Sequence, residues 1–288
     1  MNSICRRFLK ESKEAAERFY GFLCCHKGVM LMLALLLLFL YGQRIVYYPM
    51  SIDSEIALQY QDGMIESWIA MDRFGSGFTK WLFGFSRFVP YASVFMMLIA
   101  LFLFGMGFDF CVYEWTGDEK GYGLFYYIFP AAFVSAPCLA EQFYFTLQCF
   151  EIAFAMVLSL LAVYAMSRWA YFHESRLWAI LGMAFMVWAF GTYQAFIPFY
   201  IALTLIAFIL WYLRDDTYPS PEAEASKEGV RIGTGIFAKL STPFRLGLLQ
   251  AAVFAAGFLI YIIIAQIVKS TIEFETAYVG SMFKWREI

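Results

Sequence analysis

The sequence predicts an all-α, polytopic membrane protein, with about seven transmembrane helices and an interfacial juxtamembrane helix after the first. Three observations carry this fold class. Apolar residues make up 62% of the chain and aromatic residues 21%, against 15% charged, with a positive mean hydropathy, a balance foreign to soluble domains. The charges are clustered, which leaves uncharged runs able to cross a hydrocarbon core of about 30 Å, a task for about 20 helical residues. The basic residues, finally, divide unevenly between alternate loops.

Residues 1–27 form a basic amino-terminal segment. Arg6 to Tyr20, with Phe8, Leu9, Phe19 and Tyr20, reads as an amphipathic helix on the inner membrane face, and equally well as a simple topology anchor. The membrane module then runs over 28–268. Its first span, Gly28 to Tyr48, is interrupted only by Arg44, whose long side chain can snorkel to the headgroups. In the outer loop 49–87, Ile56, Tyr60, Met64 and Trp68 recur every four residues while Gln59, Gln61, Asp62 and Glu66 take the other positions. That spacing predicts a helix lying in the interface. It is expected to break at Arg73-Phe-Gly75-Ser-Gly77, after which Phe78-Thr-Lys80-Trp81 returns the chain to the bilayer.

Phe88 to Phe108, Gly121 to Ala140 and Phe150 to Ser167 are the next spans. The uncharged stretch Leu177 to Leu213 is too long for one helix, and Gly191-Thr-Tyr193-Gln194 offers a turn, so it reads as two helices in a tight hairpin. A polar, turn-rich inner connector covers 214–245. The last span is Leu246 to Val268, and 269–288 form an outer carboxyl-terminal segment, consistent with either a truncated chain or a minimal one.

With the amino terminus inside, 14 of the 21 lysines and arginines fall on inner segments. This bias predicts a cytoplasmic amino terminus and an outer position for the loop 49–87 in a multi-pass protein of the plasma membrane. No cleavable signal is expected, because the first apolar run starts late and reaches full spanning length.

Several chemistries are excluded. The six cysteines are unpatterned and suggest no disulfide framework. The two histidines, His26 and His173, both fall at inner boundaries and build no outer metal site. Nothing resembles a nucleotide-binding loop, so neither a nucleotide nor a redox cofactor is expected, while a divalent metal stays open. Nucleic acid is not an expected partner.

The segment Tyr48-Pro-Met-Ser-Ile-Asp53-Ser-Glu55-Ile puts two carboxylates at the membrane surface immediately after the first span. An inner amino terminus, one span, an outer loop opening on an acidic motif, a juxtamembrane helix and six further spans resemble the seven-span module of GT-C fold glycosyltransferases. Within that fold, Ser51-Ile-Asp53-Ser-Glu55-Ile, Ser135-Ala-Pro137-Cys-Leu-Ala-Glu141-Gln-Phe-Tyr-Phe and Gly191-Thr-Tyr193-Gln194-Ala-Phe are similar to the bacterial Gtr-type O-antigen glucosyltransferases. The resemblance covers roughly residues 28 to 268 and departs in Ser54, which separates the two acids where an adjacent pair is often seen.

The resemblance implies transfer of a hexose, glucose by family, from a polyprenyl-phosphate donor to a cell-surface polysaccharide or lipid-linked acceptor on the outer face. Such a transfer needs a base for the acceptor hydroxyl and cations for the departing phosphate, but no strong acid. Asp53 is then the first candidate base and Glu55 the second, with metal ligand and solvated loop residue as its other roles. Arg73, Lys80 and Arg87, together with Lys269, Lys284 and Arg286, are candidate phosphate ligands, and headgroup contact is their ordinary alternative. Glu141, Tyr193 and Gln194 are candidate substrate contacts, and the lipid tail is expected in a groove between helices. The expected partners are membrane lipid, the lipid-linked sugar donor and the glycan or glycolipid acceptor. A polytopic transporter or lipid flippase is the rival reading, calling for ionisable residues within spans and for broken helices; an assembly subunit without chemistry of its own is the third.

Overall fold

The computed structural model describes residues 3–47, 64–87, 89–117, 123–213 and 242–271. All regular structure among these residues is helical. Helix α1 (Ser3–Cys25) meets α2 (Lys27–Tyr41) at His26 with a bend of 79°. After α3 (Gln43–Val46) come α4 (Met64–Ala70) and α5 (Phe74–Leu82), then the long α6 (Pro90–Thr116). Proline at its first turn and Gly117 at φ 64° beyond its last give α6 defined ends. The remaining helices are α7 (Phe125–Val134), α8 (Pro137–Tyr144), α9 (Cys149–Ala170), α10 (Arg176–Thr192), α11 (Phe196–Tyr212) and α12 (Thr242–Ser270). Three are long and apolar enough to cross a bilayer alone: α6, α9 and residues 244–270 of α12; counting the bent α1–α2 pair as one span makes a fourth. Helices α7, α10 and α11 are apolar but shorter, at 10, 17 and 17 residues.

Three boundaries differ from the sequence reading, the first being the end of α6, which runs past the expected Phe108 to Thr116. The expected single span from Gly121 to Ala140 is, in its described part, two short helices. Pro137 opens α8 and excludes the residue before it from helical geometry, and Ala136 accordingly stands at ψ 127°. The break expected at Arg73 to Gly77 falls earlier, at Met71 to Arg73, and both glycines are inside α5. The hairpin turn falls as expected, between Thr192 and Phe196.

Helix α9 is the central post. It packs against α6, α10 and α11, and 83% of its apolar window is buried, against 17% for α12, which forms a peripheral wall. Helices α5 and α10 touch at backbone distance. A Cβ added to Gly75 would come within 2.5 Å of the Trp188 carbonyl oxygen, and one on Gly191 within 2.5 Å of the Phe74 ring. The contact therefore demands the absence of side chains.

Ionic groups gather at the two ends of the bundle. At the α1 end, Arg18 and Arg168 both donate to the Glu114 carboxylate, at 3.0 and 2.8 Å, and Arg168 also pairs with Glu174. Glu11 accepts from the Ser175 amide at 3.0 Å and from Arg7 at 2.7 Å. These bonds fasten α1 across the ends of α6, α9 and α10. At the opposite end lies a buried pair between Lys80 and Glu151, and near it the α4–α5 corner.

Candidate active site

The corner between α4 and α5 is a tight reversal. The Met71 and Arg73 amides donate to the Trp68 carbonyl, the Asp72 amide donates to Ile69, and the Arg73 carbonyl accepts from Ser76 and Gly77. Asp72 sits at φ 62°, in the left-handed region that few residues other than glycine occupy. Two other elements hold this geometry. From the α10–α11 turn, Gln194 Nε2 donates to the Met71 carbonyl at 3.0 Å. From α12, the Tyr261 hydroxyl donates to the Asp72 carbonyl at 3.4 Å, and Lys269 Nζ donates to Asp72 Oδ1 at 3.3 Å.

Arg73 is fixed by aromatic faces. Its guanidinium carbon lies 5.3 Å from the centre of the Trp68 ring and 4.6 Å from that of Tyr193, a geometry that holds a cation by the ring quadrupoles and limits its rotation. Arg73 and the distant pair Tyr193 and Gln194 thus come together around one turn.

Beside the corner runs an apolar groove of about 1030 Å³, walled by α4, α5, α10 and α12, at the upper end of ligand-site volumes. It follows α10 from Ala179 to Trp188, a distance of about 13 Å at 1.5 Å per residue. None of its lining residues is charged. The Trp188 indole N–H, a polar atom on that wall, donates inward to Thr79 Oγ1 at 2.9 Å, and Thr79 in turn donates to the Gly75 carbonyl. Two walls of the groove end on residues adjacent in sequence to cations: Phe74 follows Arg73, and Val268 precedes Lys269. The groove is an apolar slot, with these two cations next in sequence to the ends of its walls.

A family model described as glucosyl transferase GtrII matches residues 45–284. The chain belongs to the GtrII glucosyl transferase family. No curated protein and no solved structure matches it. The GtrII match takes in the corner, the groove walls and the acidic segment with Asp53 and Glu55, and it supports a glycosyltransferase activity.

The other expected site residues of this GtrII chain are distributed unequally. Lys80, read from sequence as a candidate phosphate ligand with headgroup contact as its alternative, is 2% exposed: its ammonium donates to the Leu147 carbonyl at 2.7 Å and to Glu151 Oε1 at 2.8 Å. Arg87 is exposed in the segment after α5, and Glu141 is exposed on α8. Asp53, Glu55, Lys284 and Arg286 lie outside the described residues. Sequence reasoning did not single out Asp72, Tyr261 or Trp68 for the site. Trp68 carried a signal in the four-residue stripe of the interfacial helix, whereas a left-handed aspartate and its partner on a distant helix have none.

Proposed function

We propose that this GtrII protein transfers glucose from a polyprenyl-phosphate donor to a polysaccharide or lipid-linked acceptor at the outer face of the plasma membrane. The observation that carries the reading is an uncharged groove whose mouth is marked by Arg73 and Lys269 on two different walls. An aliphatic tail with a single phosphate at its head matches that pattern, with the tail along α10 and the phosphate at the corner. The acceptor oxygen attacks the anomeric carbon as the bond from that carbon to the phosphate oxygen breaks. The acceptor proton passes to a carboxylate, Asp53 first and Glu55 second, and the phosphate departs with its electron pair. The donor phosphodiester carries one negative charge and the product monoester up to two, so cations at the mouth favour the departing group over the bound donor. Arg73 offers a flat fork for two phosphate oxygens, already oriented by its rings. We assign Lys80 to the fold, because its ammonium is occupied by Glu151 and Leu147.

The seven-span arrangement belongs to the same reading. In it, α2, α6, the α7–α8 pair, α9, α10, α11 and α12 cross the bilayer, α1 lies on the cytoplasmic face and the α4–α5 corner faces out. The domain map follows: segment 1–27 inside, module 28–268 with the catalytic loop 49–87 and the connector 214–245, and an outer segment from 269. The test supplies purified protein with polyprenyl-phosphate-linked glucose and an acceptor, and measures released polyprenyl phosphate. Ala184→Trp, which fills the groove from an exposed position on α10, should impair use of the long-chain donor far more than a water-soluble short-chain analogue. Equal impairment of both, or no release with any lipid-linked hexose, removes the proposal.

A further inference from the structure

We propose that Asp72 and Lys269 form an exchangeable latch at the mouth of the groove, in which the donor phosphate displaces the Asp72 carboxylate from Lys269 and Asp72 reclaims it when the product leaves. The proposal rests on the polyprenyl-phosphate reading and assigns Asp72 a role as a positioning residue that sets how tightly lipid phosphate is retained.

The two ion pairs at this end of the bundle differ in kind. Lys80 and Glu151 meet at 2.8 Å with side chains 3% and 0% exposed, so water cannot replace either partner. Lys269 and Asp72 meet at 3.3 Å with side chains 40% and 36% exposed, the condition in which an ion pair is weak and readily exchanged. A phosphate entering beside them offers Lys269 an anion of at least equal charge.

The backbone singles out the same residue. Asp72 is held at φ 62° by bonds from Tyr261 and Lys269, with Gln194 fastening the preceding peptide unit. Non-glycine residues in that region carry strain that persists where surrounding structure enforces it, as functional sites do. Since α12 is otherwise the least embedded of the long helices, these two contacts register it against the corner.

The charge count gives the latch its consequence. The Asp72 carboxylate cancels one positive charge, that of Lys269. The product monoester brings a second negative charge, and the Asp72 carboxylate, competing for Lys269, weakens the hold on it relative to a site that lacks the carboxylate. Without the carboxylate, Lys269 would stay with the monoester, and the product would be held more tightly.

Asp72→Asn is the informative change, since asparagine tolerates the left-handed conformation as well as any side chain other than glycine. Binding of a polyprenyl monophosphate to the full-length protein in detergent micelles is measured beside the corresponding phosphate-free polyprenol. Asp72→Asn should tighten binding of the monophosphate by about two- to fivefold, the span expected for an exposed pair, and leave polyprenol binding unchanged. Lys269→Met should weaken monophosphate binding, and adding Asp72→Asn to it should give no tightening. If Asp72→Asn binds the monophosphate equally or more weakly, or tightens it equally without Lys269, the latch is overturned while the phosphate reading stands. If the parent protein binds polyprenol and its phosphate equally well, the phosphate reading fails and the latch fails with it.

Discussion

Removing Lys80 without removing Glu151 should be among the most damaging single changes in this bundle. Glu151 is fully buried, its Oε1 accepts from Lys80 alone among the bonds described, and its Oε2 has no hydrogen-bond partner among the described residues. Lys80→Met leaves that carboxylate without its cation and the Leu147 carbonyl without its donor. Stranding one member of a buried pair costs about 3–5 kcal/mol, whereas replacing both members by apolar side chains of similar size is often neutral or stabilising. The expected unfolding midpoint of Lys80→Met therefore falls by about 10 °C, at about 2–4 °C per kcal/mol for chains of this order of size. The double variant Lys80→Met/Glu151→Leu should return to within about 1 kcal/mol of the parent. Thermal unfolding of the purified proteins in detergent, followed by the near-ultraviolet signal of the many aromatic residues, measures both. A single variant as stable as the parent, or a double variant no more stable than the single, would refute the reasoning. Activity tests the role of Lys80 separately from stability: a stable double variant should still transfer glucose, and its failure to do so would return Lys80 to the substrate.

Three further outcomes follow from the site. Asp53→Asn should lower turnover by about 10² to 10⁴ while donor binding is retained, as loss of a general base does, and Glu55→Gln should cost less; the reverse order exchanges their roles. Arg73→Ala should weaken donor binding by about 2 kcal/mol, and Arg73→Lys should restore only part of it, since lysine supplies a point charge without the flat stack between Trp68 and Tyr193; titrating binding against donor concentration distinguishes this from a headgroup anchor, which accepts lysine fully. Cysteine placed at exposed Glu141 should react with an impermeant thiol reagent in intact cells lacking the native cysteines, whereas cysteine at exposed Glu17 should react only after permeabilisation; the opposite pattern inverts the orientation.

The helices were legible because hydrocarbon imposes length. Uncharged runs located α2, α6, α9 and α12, and Gly191 to Gln194 marked the one place where a run of 37 residues from Leu177 to Leu213 had to turn. Local spacing carries no information about partners across the fold. Lys80 meets an acid 71 positions away, and Asp72 meets a lysine 197 positions away. Gly75 shows the same limit: its place beside Arg73 suggests a point of close backbone approach to phosphate, and the backbone that approaches it belongs to α10. Arg73 and Tyr193 each stand out in the sequence, yet the ring contact that orients the guanidinium exists only because α5 and α10 cross at glycines.

The distribution of charge bears on the transporter alternative. A carrier moves a polar cargo through the bilayer and needs ionisable groups lining an internal path. Among the described residues the salt bridges lie near the two ends of the bundle, and the groove is uncharged along its walls. Asp109 is the exception, fully buried on α6 with neither carboxylate oxygen hydrogen-bonded among the described residues. It stands seven residues from the end of α6, toward the end where Glu114 engages Arg18 and Arg168, and does not line the groove. The break between α7 and α8 meets the other demand of a carrier, and Pro137 explains it locally without a bound ion. An apolar slot walled by packed helices, with Arg73 and Lys269 next in sequence to the ends of its walls, supports the proposed lipid-linked donor over a polar cargo.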